Sequence, residues 1–259
     1  MMRLSVAEFS ARGGRETNED YVGFCANDAI GCFALADGVG GHEGGALASQ
    51  IVVQQVLKTF SELPRVHAET IRATVTVARE ALAQARLSNP DFVHMNTTLA
   101  TLMLDASQAL AYWMHLGDSR IYLFRNGRAR VLTTDHSILQ SMIDAGLAKG
   151  DVRGEVERST LYASVGSAEV PQNAVCQAPL ALQDGDVFLL CSDGFWESVN
   201  EQMMESLLQV AENEQQWICH MVSQIRNPHA PEQDNFSAVA VWIGNQEGTT
   251  RIQTLSLAT

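Results

Sequence analysis

Nine short apolar runs, bounded by Gly, Asn or Asp, restrict the fold of this chain more than any other feature of its sequence. They are Leu4 to Ala11, Tyr21 to Cys25, Ile30 to Ala36, Thr97 to Leu104, Ala109 to Leu116, Arg120 to Phe124, Arg128 to Leu132, Val187 to Cys191 and Phe236 to Ile243. Their lengths and bounding residues read as β-strands. Asn126-Gly127 suits a type I′ turn and predicts a hairpin between the sixth and seventh runs. Helical spacing of apolar residues recurs from about Gly45 to Leu63, from Val66 to Leu87, and in two adjoining stretches, Glu201 to Ala211 and Glu214 to Ile225. Strands thus come in runs and helices in pairs. That order favours an α+β fold of antiparallel sheets covered by helices over a doubly wound parallel sheet.

Between Ser137 and Gly166 the pattern changes. A short amphipathic piece (Ile138, Leu139, Met142, Ile143) stops at Gly146, and a charged, irregular stretch follows through Lys149, Asp151, Arg153, Glu155, Glu157 and Arg158. No second core fits there, so the segment of about 137–166 is expected to be a flap inserted over the main body, near the site. The chain of 259 residues is expected to form a single domain over 1–245, followed by a polar C-terminal tail over 246–259.

Charge narrows the partners. With 17 Lys+Arg against 30 Asp+Glu the formal charge is −13, the wrong sign for a protein that binds nucleic acid or anionic membrane. No apolar signal core and no membrane-length apolar run appear, so a cytoplasmic location is expected. The five cysteines form no CxxC pair and read as reduced structural thiols. A monomer is the default expectation.

The acidic residues fall at informative places. Asp37, Asp118 and Asp193 end apolar runs, and Asp234 directly precedes one. In an antiparallel sandwich the ends of some strands and the starts of others share an edge, so these four carboxylates can converge, joined by Glu19 and Asp20 just before Tyr21. Such a cluster stays ionised only if cations fill it, and an all-oxygen set selects Mg²⁺ or Mn²⁺ rather than zinc. Taken singly, Asp37-Gly38 and Asp193-Gly194 are ordinary turn dipeptides.

The glycine-rich stretch from Asp37 to Gly45 runs into a helix and superficially suggests a dinucleotide site. The spacing fails, because Glu43 stands where G-x-G-x-x-G needs its third glycine, and no Gly-Lys-Ser/Thr follows. The glycines instead let backbone pass close to ions, with the Gly38 carbonyl free to face a metal-held water.

Six motifs occur in a telling order: Arg15-x-x-x-Glu19-Asp20, Asp37-Gly38-x-Gly40-Gly41-His42, Gly117-Asp118-Ser119-Arg120, Thr134-Asp135-His136-Ser137, Ser192-Asp193-Gly194 and Asp234-Asn235. Together they resemble the metal-dependent protein phosphatase family of the 2C type, in its compact bacterial form. The resemblance implies a four-layer α-β-β-α sandwich and hydrolysis of phosphoserine and phosphothreonine in proteins. Position by position, it implies that Asp37 bridges two metal ions, with Asp193 and Asp234 as further ligands of one ion and the Gly38 carbonyl serving the other. Glu19 and Asp20 would hold metal-bound water, Asp118 with Asp193 would hold a third, weaker ion, and Arg15 would grip the substrate phosphate. Two such ions lower the pKa of a bridging water, so hydroxide attack on phosphorus needs no protein nucleophile.

Other residues depart from the family pattern or stay open. In eukaryotic relatives a histidine follows the Asp-Gly directly, whereas here Val39 does and the histidine comes later as His42, leaving metal-bound water the better proton donor. Asp135, His136 and Ser137 are expected to cap and hydrogen-bond the start of the flap helix, and Ser119 and Arg120 to shape the turn that aims Asp118. His115 is expected to be a satisfied strand residue, and Trp113, Trp196, Trp217 and Trp242 to pack in or near the core. Before Gly166 the chain reads Ser159 to Val165 and lacks the arginine usual in relatives, with Arg158 nearby. The resemblance also implies a partner Ser/Thr kinase whose phosphorylation is reversed; relatives of this compact kind include enzymes opposing kinases that regulate type VI secretion. The competing reading is a catalytically silent phosphoprotein-binding module on the same fold, which predicts loss of a metal carboxylate; none is lost.

Overall fold

The computed structural model describes residues 2–39, 43–147, 160–225, 230, 232–244 and 253–254. Strands β1 (Arg3–Ala11), β2 (Asp20–Ala26) and β3 (Ile30–Val39) lead to helices α1 (Glu43–Glu62) and α2 (Ala68–Ser88). Then come β4 (Asn96–Thr97), β5 (Leu99–Asp105), β6 (Leu110–Leu116), β7 (Arg120–Arg125), β8 (Arg128–Val131) and α3 (Ile138–Asp144). Strands β9 (Leu180–Ala181) and β10 (Val187–Cys191) precede α4 (Asp193–Trp196), α5 (Glu201–Leu208) and α6 (Glu214–Gln224), with β11 (Phe236–Gly244) and β12 (Gln253–Thr254) last. All nine apolar runs are strands. Asn126 and Gly127 both have positive φ, 54° and 73°, in the hairpin that pairs Arg125 with Arg128.

One sheet runs β12-β1-β11-β10-β7-β8 and the other β2-β3-β5-β6-β9, with β4 paired to β3. Apart from the parallel β1–β12 contact, the pairings are antiparallel. Side-chain alternation along each strand builds three cores. In β3, Phe33 and Leu35 face the gap between sheets, where they meet Leu102, Ile121, Phe188, Leu190 and Val241, while Cys32, Ala34 and Ala36 face α1 and α2. In β10, Val187, Leu189 and Cys191 turn the other way, against Trp217, Ile218 and Met221 of α6. Strands with both faces buried read as continuous apolar runs, and the result is the expected four layers, helices outside and two antiparallel sheets within.

Three local features differ from the sequence reading. Strand β3 does not stop at Ala36 but carries Asp37, Gly38 and Val39, because β4 pairs with its end (Gly38 with Thr97, Val39 with Asn96). Asp193-Gly194 is the start of the short helix α4 rather than a turn. Within the stretch read as a tail, Gln253 and Thr254 pair with Ala7 and Glu8. Of the flap, residues 148–159 lie outside the described residues, and with them Lys149, Asp151, Arg153, Glu155, Glu157, Arg158 and Ser159. Its described ends meet: Ser137 bridges Leu161, and Ile138 N donates to Thr160 O at 2.9 Å.

The turn between β6 and β7 depends on Gly117, whose φ is +102° and where a β-carbon would lie 2.6 Å from Thr98 Cγ2. Gly117→Ala is expected to lower stability by about 1–3 kcal/mol and to displace Asp118. Thermal denaturation compared with the wild type measures it.

Candidate metal centre

Antiparallel order brings the C-terminal ends of β3, β6 and β10 to the same edge of the sandwich as the N-terminal ends of β2, β7 and β11. A cleft of about 370 Å³ opens there, lined by Arg15, Glu19, Asp37, Gly38, Asp118, Asp193 and Asp234 among others. These are seven of the residues singled out from sequence. Asp20 is the exception: it is 5% exposed, sits opposite Asp37 in the β2–β3 register, and points at Ser192, whose Oγ donates to Asp20 Oδ2 at 2.7 Å. It forms part of the wall behind the cleft. Gly40, Gly41 and His42 lie outside the described residues.

Asp37 is the most firmly held of the set. Its side chain shares the gap-facing side of β3 with Phe33 and Leu35, so the inter-sheet core runs directly into the cleft floor. Its backbone is clamped by two threonines: Asp37 N donates to Thr98 Oγ1 (2.9 Å), while Thr98 N and Thr97 Oγ1 both donate to Asp37 O (2.8 Å each). Thr98 Oγ1 also meets Ser119 Oγ at 2.7 Å, which ties the Asp37 strand to the Asp118 turn. Neither threonine was identified from sequence; two polar residues at the join of a strand otherwise apolar were the available signal. Gly38 lets the start of α1 press onto β3, since a β-carbon there would collide with the Gly45 backbone.

Asn235 joins the remaining pieces. Its Oδ1 accepts from Glu19 N (2.8 Å), and its Nδ2 donates to the carbonyls of Arg12 (2.8 Å) and Thr17 (3.0 Å). The loop carrying Arg15 and Glu19 is thereby fixed to the residue after Asp234. Arg15 Nη2 donates to Asp234 Oδ2 at 2.8 Å, with the two side chains 54% and 43% exposed at the cleft mouth.

Around Asp118, the structure corrects one expectation. Asp135 does not cap the flap helix; Ser137 does, accepting from Gln140 N, while Asp135 binds Arg120 through two hydrogen bonds of 2.9 and 2.7 Å. Trp196 packs against the edge of the helix-side core, as expected, and is also a cleft wall: its ring lies 3.5 Å from the Arg120 guanidinium, and its Nε1 donates to Asp118 O at 3.1 Å. Ser119 and Arg120 do brace the Asp118 turn. His115 is buried in β6, stacked on His136 at 4.3 Å and hydrogen-bonded through Nε2 to Thr134 O. His136 Nδ1 accepts from Gly117 N at 3.3 Å.

The carboxylates crowd one another. Desolvation at the cleft floor, reinforced by Asp20, Asp193 and Asp118, pushes the Asp37 carboxyl far above its ordinary range, and a hydrogen bond from Asp37 to Asp193 keeps the proton on Asp37. Burial and the charges of Asp193 and Asp135 push Asp118 up to about 8. Burial also raises Asp20 to about 7 and, with Asp234, Asp193 to about 6. Asp20 Oδ1 is buried without a hydrogen-bond partner. Among the described residues no three His, Cys, Asp or Glu side chains are already arranged around one metal ion; a shared proton and the Arg15 guanidinium offset the charge instead. Hard-oxygen donors that repel one another at neutral pH are the donor set that divalent cations satisfy, so the residues present fit Mg²⁺ or Mn²⁺.

The family model described as Protein phosphatase 2C matches residues 10–233. The serine/threonine protein phosphatase PstP of Mycobacterium tuberculosis is 33% identical over 212 residues, which is 81% of this chain and 40% of that protein. The chain thus aligns with less than half the length of that relative. A crystal structure of the PstP catalytic domain in complex with 2 manganese ions superposes with a TM-score of 0.78 at 29% identity, over 95% of this chain and 100% of that one. PppA, a key regulatory component of the T6SS in Pseudomonas aeruginosa, superposes with a TM-score of 0.67 at 26% identity, over 94% of this chain and 100% of that one. Because the family match begins within β1 and runs to Gln233, it takes in the cleft-facing ends of β2, β3, β6 and β10, and the chain belongs to the protein phosphatase 2C family.

Proposed function

We propose that this chain hydrolyses phosphoserine and phosphothreonine in proteins with two divalent ions, Mn²⁺ or Mg²⁺, held by Asp37, the Gly38 carbonyl, Asp193 and Asp234. Glu19 and Asp20 support the water around them, and Asp118 with Asp193 serves a third, weaker ion. The observation that carries this reading is the convergence of Glu19, Asp37, Asp118, Asp193 and Asp234, from separate strand ends, in one cleft with Arg15 at its mouth. When bound, divalent cations supply the positive field these carboxylates lack and lower the pKa of water in the cleft. The protein's part is placement. Thr97 and Thr98 fix Asp37, Asn235 fixes the Glu19 loop, and the Arg120–Trp196 stack fixes the Asp118 carbonyl. Arg15 presents a planar fork of donors to phosphate oxygens and offsets charge as the ester breaks.

Residues 1–245 are read as one phosphatase domain with its flap at about 137–166, and 246–259 as its tail, of which Gln253 and Thr254 pair with β1. No described helix is long and apolar enough to cross a membrane, and the reading places the enzyme in the cytoplasm as a monomer. Its substrates are phosphoproteins of a Ser/Thr kinase pathway, and the likeness to PppA supports regulation of type VI secretion as that pathway.

The test is release of phosphate from p-nitrophenyl phosphate and from phosphothreonine peptides, with Mn²⁺ and with EDTA. Activity is expected with Mn²⁺ and its loss in EDTA, with recovery on adding Mn²⁺ back. Full activity in EDTA would overturn the metal reading, and tight phosphopeptide binding without turnover would mark a silent module. Arg15→Ala is expected to lower kcat/KM about 10- to 100-fold, chiefly through KM, the worth of a charge-assisted hydrogen bond.

A further inference from the structure

Asp118 lies in the link between β6 and β7, and each residue from Gly117 to Arg120 is held by a group outside that link. Asp118 O accepts from Trp196 Nε1, Ser119 Oγ meets Thr98 Oγ1, and Arg120 is bound by Asp135. Gly117 is held by the residue after Asp135, through both of its backbone groups: His136 N donates to Gly117 O at 3.0 Å, and Gly117 N donates to His136 Nδ1 at 3.3 Å. Asp135 and His136 thus grip the chain on either side of Asp118. With its φ of +102°, Gly117 rotates more freely than any neighbour, so the direction of Asp118 depends on what fixes the Gly117 peptide groups.

A backbone N–H only donates, so His136 Nδ1 is the unprotonated nitrogen and the proton of the neutral ring is on Nε2. Nε2 accordingly lies 3.2 Å from an acceptor, Asn173 Oδ1. The imidazole is fully buried and stacks at 4.3 Å and 19° on His115, which is itself held through Nε2 by Thr134 O; the Tyr162 ring is 5.6 Å away. Burial lowers the His136 pKa against the opposing pull of Asn173 and Asp135, so the neutral form persists. These neighbours fix the plane of a ring that the flap helix does not use, because Ser137 caps α3.

We propose that His136 is a positioning residue for the reaction: its neutral imidazole, as acceptor for the Gly117 amide, sets the link that aims the Asp118 carboxylate into the cleft. The inference rests on the phosphatase reading, in which Asp118 serves the third ion, and names a residue on which that service depends. What the site needs is an acceptor at the place of Nδ1 rather than a ring. Asn supplies one, since its Oδ1 is bonded to Cγ as Nδ1 is, whereas Gln carries its amide one atom further out, toward the place of Nε2. Gln is nearer to histidine in volume, so packing and hydrogen bonding predict opposite orders for the two variants.

The experiment measures kcat and KM for p-nitrophenyl phosphate, with the full chain and saturating Mn²⁺, in His136→Gln, His136→Asn, Asp118→Asn and the double variant of His136→Gln with Asp118→Asn. His136→Gln is expected to lower kcat about tenfold with little change in KM, the effect of one buried hydrogen bond left unmade. His136→Asn is expected to recover most of that loss. Because the effect runs through Asp118, His136→Gln is expected to change kcat by less than about twofold once Asp118→Asn is present, whereas a merely structural contribution would multiply the two losses. In the wild-type, metal-free protein near neutral pH, ¹⁵N NMR is expected to show His136 Nδ1 unprotonated and coupled to Gly117 N across the hydrogen bond, a readout that needs no variant to fold. A protonated Nδ1, equal kcat in the Gln and Asn variants, or multiplied losses in the double variant would overturn the proposal while leaving the phosphatase reading intact. Wild-type kcat in Asp118→Asn would overturn it together with the third-ion role of Asp118. Failure of the wild type to hydrolyse p-nitrophenyl phosphate would overturn the phosphatase reading and the inference with it.

Discussion

Asp37→Asn is expected to lower turnover of both p-nitrophenyl phosphate and phosphopeptides by about 10³-fold or more, roughly 4 kcal/mol of transition-state stabilisation. The amide keeps the shape of the carboxyl but gives up the charge that would serve two cations at once. Folding should not suffer, because the backbone of Asp37 is fixed by Thr97 and Thr98 rather than through its side chain. In the metal-free protein the substitution also removes a group that resists ionisation where it stands. The variant is therefore expected to be at least as stable as the wild type without metal and less stabilised by Mn²⁺. Parallel kinetics and thermal melts separate the two effects, and an Asp37→Asn enzyme with wild-type turnover would remove Asp37 from the metal site.

Added Mn²⁺ is expected to raise Tm far more at pH 8 than at pH 5. Asp20, Asp118 and Asp193 ionise near pH 7, 8 and 6 in the folded chain, against an ordinary value of 3.8, and Asp37 is raised as well. Between these values the folded state binds more protons than the unfolded state, so the stability contributed by the protonated carboxyls is complete below about pH 4 and is lost as pH rises through 6 to 8. The metal-free protein should accordingly weaken over that window. Cations bind the ionised carboxylates and compete with protons, so they restore at pH 8 what was lost and do little at pH 5. At 100 times its dissociation constant one ion contributes about 2.7 kcal/mol, or about 5–10 °C in a chain of this size. Melting with Mn²⁺, and with EDTA as the reference, checks this; an equal shift at both pH values would mean that these carboxylates are not the metal's ligands.

What the sequence showed and what it hid divide along a physical line. Strands buried on both faces, such as β3 and β10, announce themselves as apolar runs, and Asn126-Gly127 announces its hairpin because few dipeptides tolerate two positive φ angles. Strands β4 and β9 have two residues each, too few for any periodicity, and the pairing of β4 is what carries β3 past Ala36 and places Asp37 inside the strand. The convergence of Asp37, Asp118, Asp193 and Asp234 followed from alternating strand direction alone. The burial of Asp20 did not, because it depends on register: its place opposite Asp37 puts it behind the cleft wall, beside Ser192. The clamps of Thr97, Thr98 and Asn235 and the Arg120–Asp135–Trp196 stack join residues distant in sequence, and apart from the polar pair Thr97-Thr98 nothing local in the chain points to them.

The hydrogen bonds at the base of the flap have an evolutionary corollary. Ile138 N meets Thr160 O, Tyr162 N meets His136 O, and His136 in turn accepts from Gly117, so the insertion leaves and re-enters the frame at almost one point. A segment whose ends are pinned together behaves as a cassette: because closure entropy grows only with the logarithm of loop length, residues can be gained, lost or exchanged between 138 and 160 at small cost to the rest. The carboxylates are held by other strands and do not feel the change. Changes of length between 138 and 160 are therefore expected to leave the hydrolytic machinery in place.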